Sequence, residues 1–120
     1  MEQKEVAEEG EESKCKLINS MWEVLGRRWA LLILKNLNTK EAIRFNELKR
    51  LMPGISSTVL SDRLLELERE GLISKKIYPE IPPRVEYRLT AQARELGIIL
   101  KELGKWAQRW KAPRINAKTV

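Results

Sequence analysis

The chain has no histidine and a single cysteine among its 120 residues. The missing histidine removes Ser-His-Asp and Cys-His catalysis. The two scarcities together remove the zinc constellations, which need several His or Cys ligands. One cysteine cannot close an intramolecular disulfide, which points to a reducing cytoplasm. The six glycines are scattered, so there is no glycine-rich phosphate loop. No apolar run approaches the ~20 residues a membrane helix needs, and no signal-peptide pattern opens the chain. The longest apolar run, Trp29 to Leu34, suits a buried helix. Nucleophile, base and metal ligands cannot be assembled into one site. The chain therefore reads as a cytoplasmic non-enzyme without cofactor, metal or membrane partner.

What it has is positive charge, unevenly placed. The formal charge is +6, yet residues 1–14 hold six Glu and two Lys, a local balance of −4, so the remainder carries +10. A domain that basic meets anions, nucleic acid first among them. Residues 1–13 read as an acidic flexible tail, 14–112 as one domain with one modest core, and 113–120 as a second flexible tail.

Along the domain the apolar spacing is mostly helical. Leu17, Met21 and Leu25 form one stripe, flanked by Ile18 and Trp22. Arg28 to Leu37 is apolar around most of its circumference, as expected of a central core helix. A short extended piece over Ala42 to Arg44 leads into a helix from about Asn46 to Leu51, with Leu48 and Leu51 inward. Pro53 and Gly54 mark a tight break. Ser56 is placed to cap the next helix, which has Leu60, Leu64 and Leu67 as its core stripe and Gly71 as its stop. Two alternating strands follow, with Ile73 and Ile77 on one face of the first and Val85, Tyr87 and Leu89 on one face of the second. They are joined by the proline-rich Pro79 to Pro83. Thr90 caps a long last helix ending near Trp110. Helix, glycine-containing turn and helix make a helix-turn-helix, and the ribbon behind it makes the winged version. The fold class is mainly α with a small β-ribbon (α+β).

Four segments carry a more specific likeness: "LGRRWALLIL" (25–34), "RFNELKRLMPGIS" (44–56), "VLSDRLLELEREGLI" (59–73) and "YPEIPPRVEYRLT" (78–90). The chain resembles the HxlR-type winged-helix transcriptional regulators, akin to the MarR and ArsR groups, from about Cys15 to Trp110. A lone cysteine ahead of the first helix is a habit of that family. In this chain Lys16 stands where the family has proline, Arg27-Arg28-Trp29 replaces a Gly-Lys-Trp element, and Ser57 and Thr58 replace longer polar residues.

In helix-turn-helix proteins the N-terminal half of the second helix enters the major groove. With the Leu stripe inward, that leaves Ser57, Thr58, Ser61, Asp62 and Arg63 as base-edge candidates, although Ser57 also suits capping and Arg63 a pair with Glu66 or Glu70. Arg28, Arg44, Lys49, Arg50, Lys75, Arg84 and Arg88 are candidates for phosphate or wing contacts. The last helix carries Leu96, Ile99, Leu103, Trp106 and Trp110 at spacings of 3, 4, 3 and 4, a heptad-like seam. Together with Leu17, Met21 and Trp22 this is more apolar surface than one small core absorbs. The resemblance likewise implies dimerisation through the first and last helices. Cys15 lies between Lys14 and Lys16 near a helix N-terminus, which favours its thiolate. The resemblance implies redox sensing there, against the alternative of an inert, partly buried thiol. The expected function is a homodimeric, sequence-specific transcriptional regulator of double-stranded DNA on a roughly palindromic operator. Helix 56–70 would lie in the major groove and wing 78–88 at the backbone or minor groove. The competing reading is a winged-helix protein–protein interaction module. Nothing in the sequence marks an effector pocket.

Overall fold

In a computed structural model, residues 19–119 are described, with side chains over 19–111. Helix α1 covers 19–26. It is followed by α2 (Ala30–Leu37), β1 (Ile43–Arg44), α3 (Phe45–Arg50), α4 (Ser57–Arg69), β2 (Ile73–Tyr78), β3 (Arg84–Leu89) and α5 (Ala91–Thr119). This is the mainly helical fold with a small sheet that the apolar periodicities predict.

The break between α1 and α2 is made by tryptophan. Trp29 takes the left-handed region (φ 80°), so α2 begins at Ala30 and not at Arg28. A left-handed non-glycine backbone costs about 1–2 kcal/mol. The Trp29 ring packs against the core, and the Arg28 guanidinium lies 4.8 Å from its centroid. Ala30, Ile33, Leu34 and Leu37 of α2 are buried, whereas Leu31 and Leu32 are open, so this chain covers only one side of the helix expected at its centre.

The Leu60, Leu64 and Leu67 stripe of α4 is fully inside, against Leu48, Met52, Leu72 and Tyr87 among others. One inward assignment is corrected. Leu51 is 46% exposed and Met52 is 2% exposed. Helix α3 stops at Arg50, so the chain has left helical periodicity before it reaches Met52. Ile77 is 61% exposed although it shares a face with Ile73, because β2 runs on beyond the helices that cover its start.

The ribbon is a three-stranded antiparallel sheet in the order β1-β3-β2. Ile43 lies opposite Tyr87, Ile73 opposite Leu89 and Tyr78 opposite Arg84. With β3 in the middle, Tyr87 and Leu89 are buried and the alternate Arg84, Glu86 and Arg88 are half covered. Gly71, at φ 76°, closes α4 in the left-handed position that favours glycine. Thr90 ties the two ends of the wing together. Its Oγ1 donates to the Gly71 carbonyl (2.7 Å) and accepts from Ala93 N–H (3.3 Å). Helix α5 passes α2 closely at Gly97, where a β-carbon would meet the Asn38 amide at 2.9 Å. It continues to Thr119, past the end expected near Trp110. No helix among the described residues is long and apolar enough to cross a membrane.

Candidate nucleic-acid interface

Helix α4 starts where Ser56 Oγ accepts from Val59 N–H (3.1 Å), a side-chain cap in extended backbone. Replacing Ser56 with Ala is expected to cost about 1 kcal/mol. Urea denaturation should show it as a lower midpoint at unchanged slope.

From that cap the exposed positions of α4 are Ser57, Thr58, Ser61, Asp62, Leu65, Glu68 and Arg69. Thr58, Ser61 and Asp62 have no side-chain partner among the described residues. Ser57 accepts from Lys49 Nζ (2.7 Å), which holds an ammonium of α3 beside the start of α4. Arg63 turns inward. It donates from Nε to the Arg28 carbonyl (3.1 Å) and from Nη1 to Glu66 Oε1 (3.0 Å), with its side chain 18% exposed. Of the five base-edge candidates, then, three stand free, one is joined to a lysine and one is committed to the protein.

The basic candidates separate in the same way. Arg28, Arg44, Lys49, Arg50 and Lys75 form no ion pair among the described residues. Arg50 lines two hollows that meet along α3. One, of about 430 Å³, is shared with Asn46, Lys49 and Gly54. The other, of about 760 Å³, opens between α3 and the wing and is lined by Arg44, Asn46, Ile81 and Arg84, with Glu47 and Glu80, each paired to a cation, at its edge. A basic path thus runs from the Lys49–Ser57 junction along α3 to the wing. Asn46 belongs to it and is absent from the sequence-based candidates. Its i, i+3 and i+4 spacing to Lys49 and Arg50 is the signal that would have found it.

The wing arginines are held by acids. Arg84 lies 3.5 Å from both Glu80 and Glu86 and 4.0 Å over the Tyr78 ring. Arg88 reaches Glu86 at 3.3 Å and Glu41 at 3.5 Å. The hydrogen bond that Arg88 donates to Glu86 holds its guanidinium's pKa above its ordinary value. Similarly, a hydrogen bond from Lys40 holds the Glu47 carboxyl below its usual range, and burial pushes the Tyr87 phenol up. At the tip Ile81 is wholly exposed between Glu80 and Pro82.

A second surface is apolar. Trp22 of α1 and Ile98, Ile99, Leu103, Trp106 and Trp110 of α5 are all exposed. Met21 and Leu96, expected in the same seam, are partly buried against this chain's own core. Leu17 and Cys15 lie outside the described residues.

A capped helix with a polar outer face, a basic helix before it and a stiff ribbon behind it define a winged helix-turn-helix of the DNA-binding class. The chain belongs to the HxlR-like helix-turn-helix family, which it matches over residues 24–115, and it is a transcriptional regulator of that kind. It is 40% identical over 100 residues to the HTH-type transcriptional regulator YvaP of Bacillus subtilis, covering 82% of this chain and 91% of YvaP. It is 45% identical over 83 residues to the HTH-type transcriptional regulator BH0655 of Halalkalibacterium halodurans, covering 69% of this chain and 74% of the relative. Among solved structures it is similar to the reduced form of the transcriptional regulator YodB from B. subtilis. That match has a TM-score of 0.68 at 34% identity, over 79% of this chain and 92% of YodB. YodB has also been solved diamide-treated and quinone-bound.

Proposed function

We propose that the chain acts as a homodimer that binds a roughly palindromic operator with sequence specificity. One α4 helix of each copy enters the major groove, and the wing lies on the backbone or in the minor groove. The observation that carries this reading is the free polar face of Thr58, Ser61 and Asp62 at the end of the basic path along α3. Hydroxyls and a carboxylate without internal partners are groups that hydrogen-bond base edges, and an aspartate suits the amino group of cytosine. The backbone is served by Lys49, Arg50, Arg44 and Lys75. The exposed Ile81 between Glu80 and a proline suits the wall of a minor groove better than a phosphate. The open apolar faces of α1 and α5 supply the dimer seam, and its two-fold axis gives the operator its symmetry.

Cys15 supplies a redox input to the same dimer. With one thiol per chain, oxidation by diamide joins the Cys15 thiolates of two copies, or one copy and a small thiol. An S–S bond forms as two electrons pass from the thiolates to the diamide nitrogens, which take up two protons from solvent. The similarity to YodB, solved in reduced, diamide-treated and quinone-bound forms, supports this reading.

The test is selection from random duplex DNA with the full-length protein, with and without diamide. The expected result without diamide is an enriched site of two inverted half-sites centred about 34–36 Å apart. It should be bound at least about 10³-fold more tightly than random duplex. Diamide should weaken that binding, and Cys15→Ser should abolish the response. Failure to enrich any site would sink the DNA-reading proposal. An unchanged diamide response in Cys15→Ser would sink the thiol.

A further inference from the structure

Four polar contacts cross from α1 and the turn behind it to α4 or join the residues that do so, and none involves the free face of Thr58, Ser61 and Asp62. Ser20 Oγ donates to Glu70 Oε1 (2.7 Å). Arg27 Nε lies 3.4 Å from Glu66 Oε2. Arg63 bonds both the Arg28 carbonyl and Glu66 Oε1, at 3.1 and 3.0 Å. Glu66 is the hub: one oxygen faces an arginine of its own helix and the other an arginine of the α1–α2 turn. Its side chain is only 26% exposed. The turn that presents the Arg28 carbonyl is the one pinned by the left-handed Trp29.

Such a cluster does little for net stability, because desolvating the charges offsets most of their attraction. What it does supply is direction. Leu60, Leu64 and Leu67 hold α4 to the core, but apolar contact is non-directional and leaves a helix free to tilt and slide by small amounts. The Arg63 fork, bonded to a carbonyl of the turn behind α1, and the Arg27–Glu66 ion pair restrict that freedom. Ser20 reaches α4's end from α1 itself, and the other bonds reach the turn that ends α1, whose Trp22 is 69% exposed on the apolar face assigned above to the dimer seam.

We propose that Arg63 and Glu66 are positioning residues that lock α4 to the α1–α2 turn and, through it, to α1. Through the dimer they would set the separation and angle of the two reading helices, and with it the half-site spacing the protein accepts. This rests on the dimeric DNA-binding reading. Inserting one base pair between half-sites shifts one of them by about 3.4 Å along the axis and about 35° around it. A locked pair of helices cannot follow that shift, whereas an unlocked pair follows part of it.

The test uses full-length protein and the selected operator, the same duplex lengthened by one and by two base pairs between half-sites, and a single half-site duplex. Wild type should lose about tenfold or more in affinity on a one-base-pair insertion. Arg63→Met and Glu66→Gln should shrink that ratio to about threefold or less, and Arg63→Lys should restore part of it. Ser20→Ala touches only the edge of the cluster. It should relax the ratio while leaving half-site affinity within about twofold and thermal stability unchanged. It carries the test if the more buried variants do not fold. Spacing discrimination that is unchanged in every folded variant overturns the proposal. An equal loss on all duplexes in Arg63→Met, half-site included, also overturns it, because Arg63 would then be touching DNA. A wild-type chain that selects no operator removes the DNA-binding reading itself, and this one with it.

Discussion

Replacing Leu103 and Trp106 with Glu is expected to give a folded monomer that has lost its operator. Both side chains are exposed on α5, 48% and 52%, while Leu96 and Leu100 of the same helix face the core, so the substitutions leave the fold's interior alone. In the dimer each Leu or Trp covered by the partner contributes about 1.5–3 kcal/mol, and a two-fold interface counts every substitution twice. Placing carboxylates in that seam adds a desolvation penalty with no partner to offset it. The loss is therefore larger than the association energy of most standard-sized interfaces can absorb. Bivalent binding raises affinity by about 10²–10⁴ over a single module, and the variant should forfeit that factor on a two-half-site duplex. Multi-angle light scattering and duplex titration check both halves of the expectation. A wild-type chain that is monomeric at micromolar concentration, or a variant that stays dimeric, would refute the seam.

The second large effect is on salt dependence. With about 6–10 phosphates contacted by the dimer, raising salt from about 50 to about 200 mM should weaken operator binding by about 10³–10⁵. The slope should depend on particular residues. Arg50 has no ion pair among the described residues and lines both hollows of the basic path, so Arg50→Ala should lower the slope by about two per dimer. Arg84 is matched by Glu80 and Glu86 at 3.5 Å, so releasing its ion pairs roughly cancels what a phosphate would give. Arg84→Ala should leave the slope nearly unchanged. Equal slopes for Arg50→Ala and wild type would remove the basic path along α3 as the backbone contact. Operator affinity that is flat across this salt range would remove the DNA partner altogether.

These expectations depend on different levels of the molecule. The Leu60, Leu64 and Leu67 stripe, the Ser56 cap, the Gly71 stop and the proline tip are local features. Helical period, capping chemistry and backbone permissiveness act over a few residues, so the amino-acid order alone determines them. The family likeness rests on the same short segments, and it holds over residues 24–115. Other features were not legible. Met52 in place of Leu51 in the core depends on where α3 stops. The third strand depends on Ile43 meeting Tyr87, 44 positions later in the chain. Near neighbours such as Arg63 and Glu66 were legible as a pair, but distant charge partners are the hardest to read, because a long flexible cation has many acids within reach of its neighbours. Arg63 is bound to a carbonyl 35 residues away, and Arg88 to an acid 47 residues away. Local order places an arginine on a helix or a strand. Only packing decides whether its charge is left free for a phosphate or is taken up inside the protein.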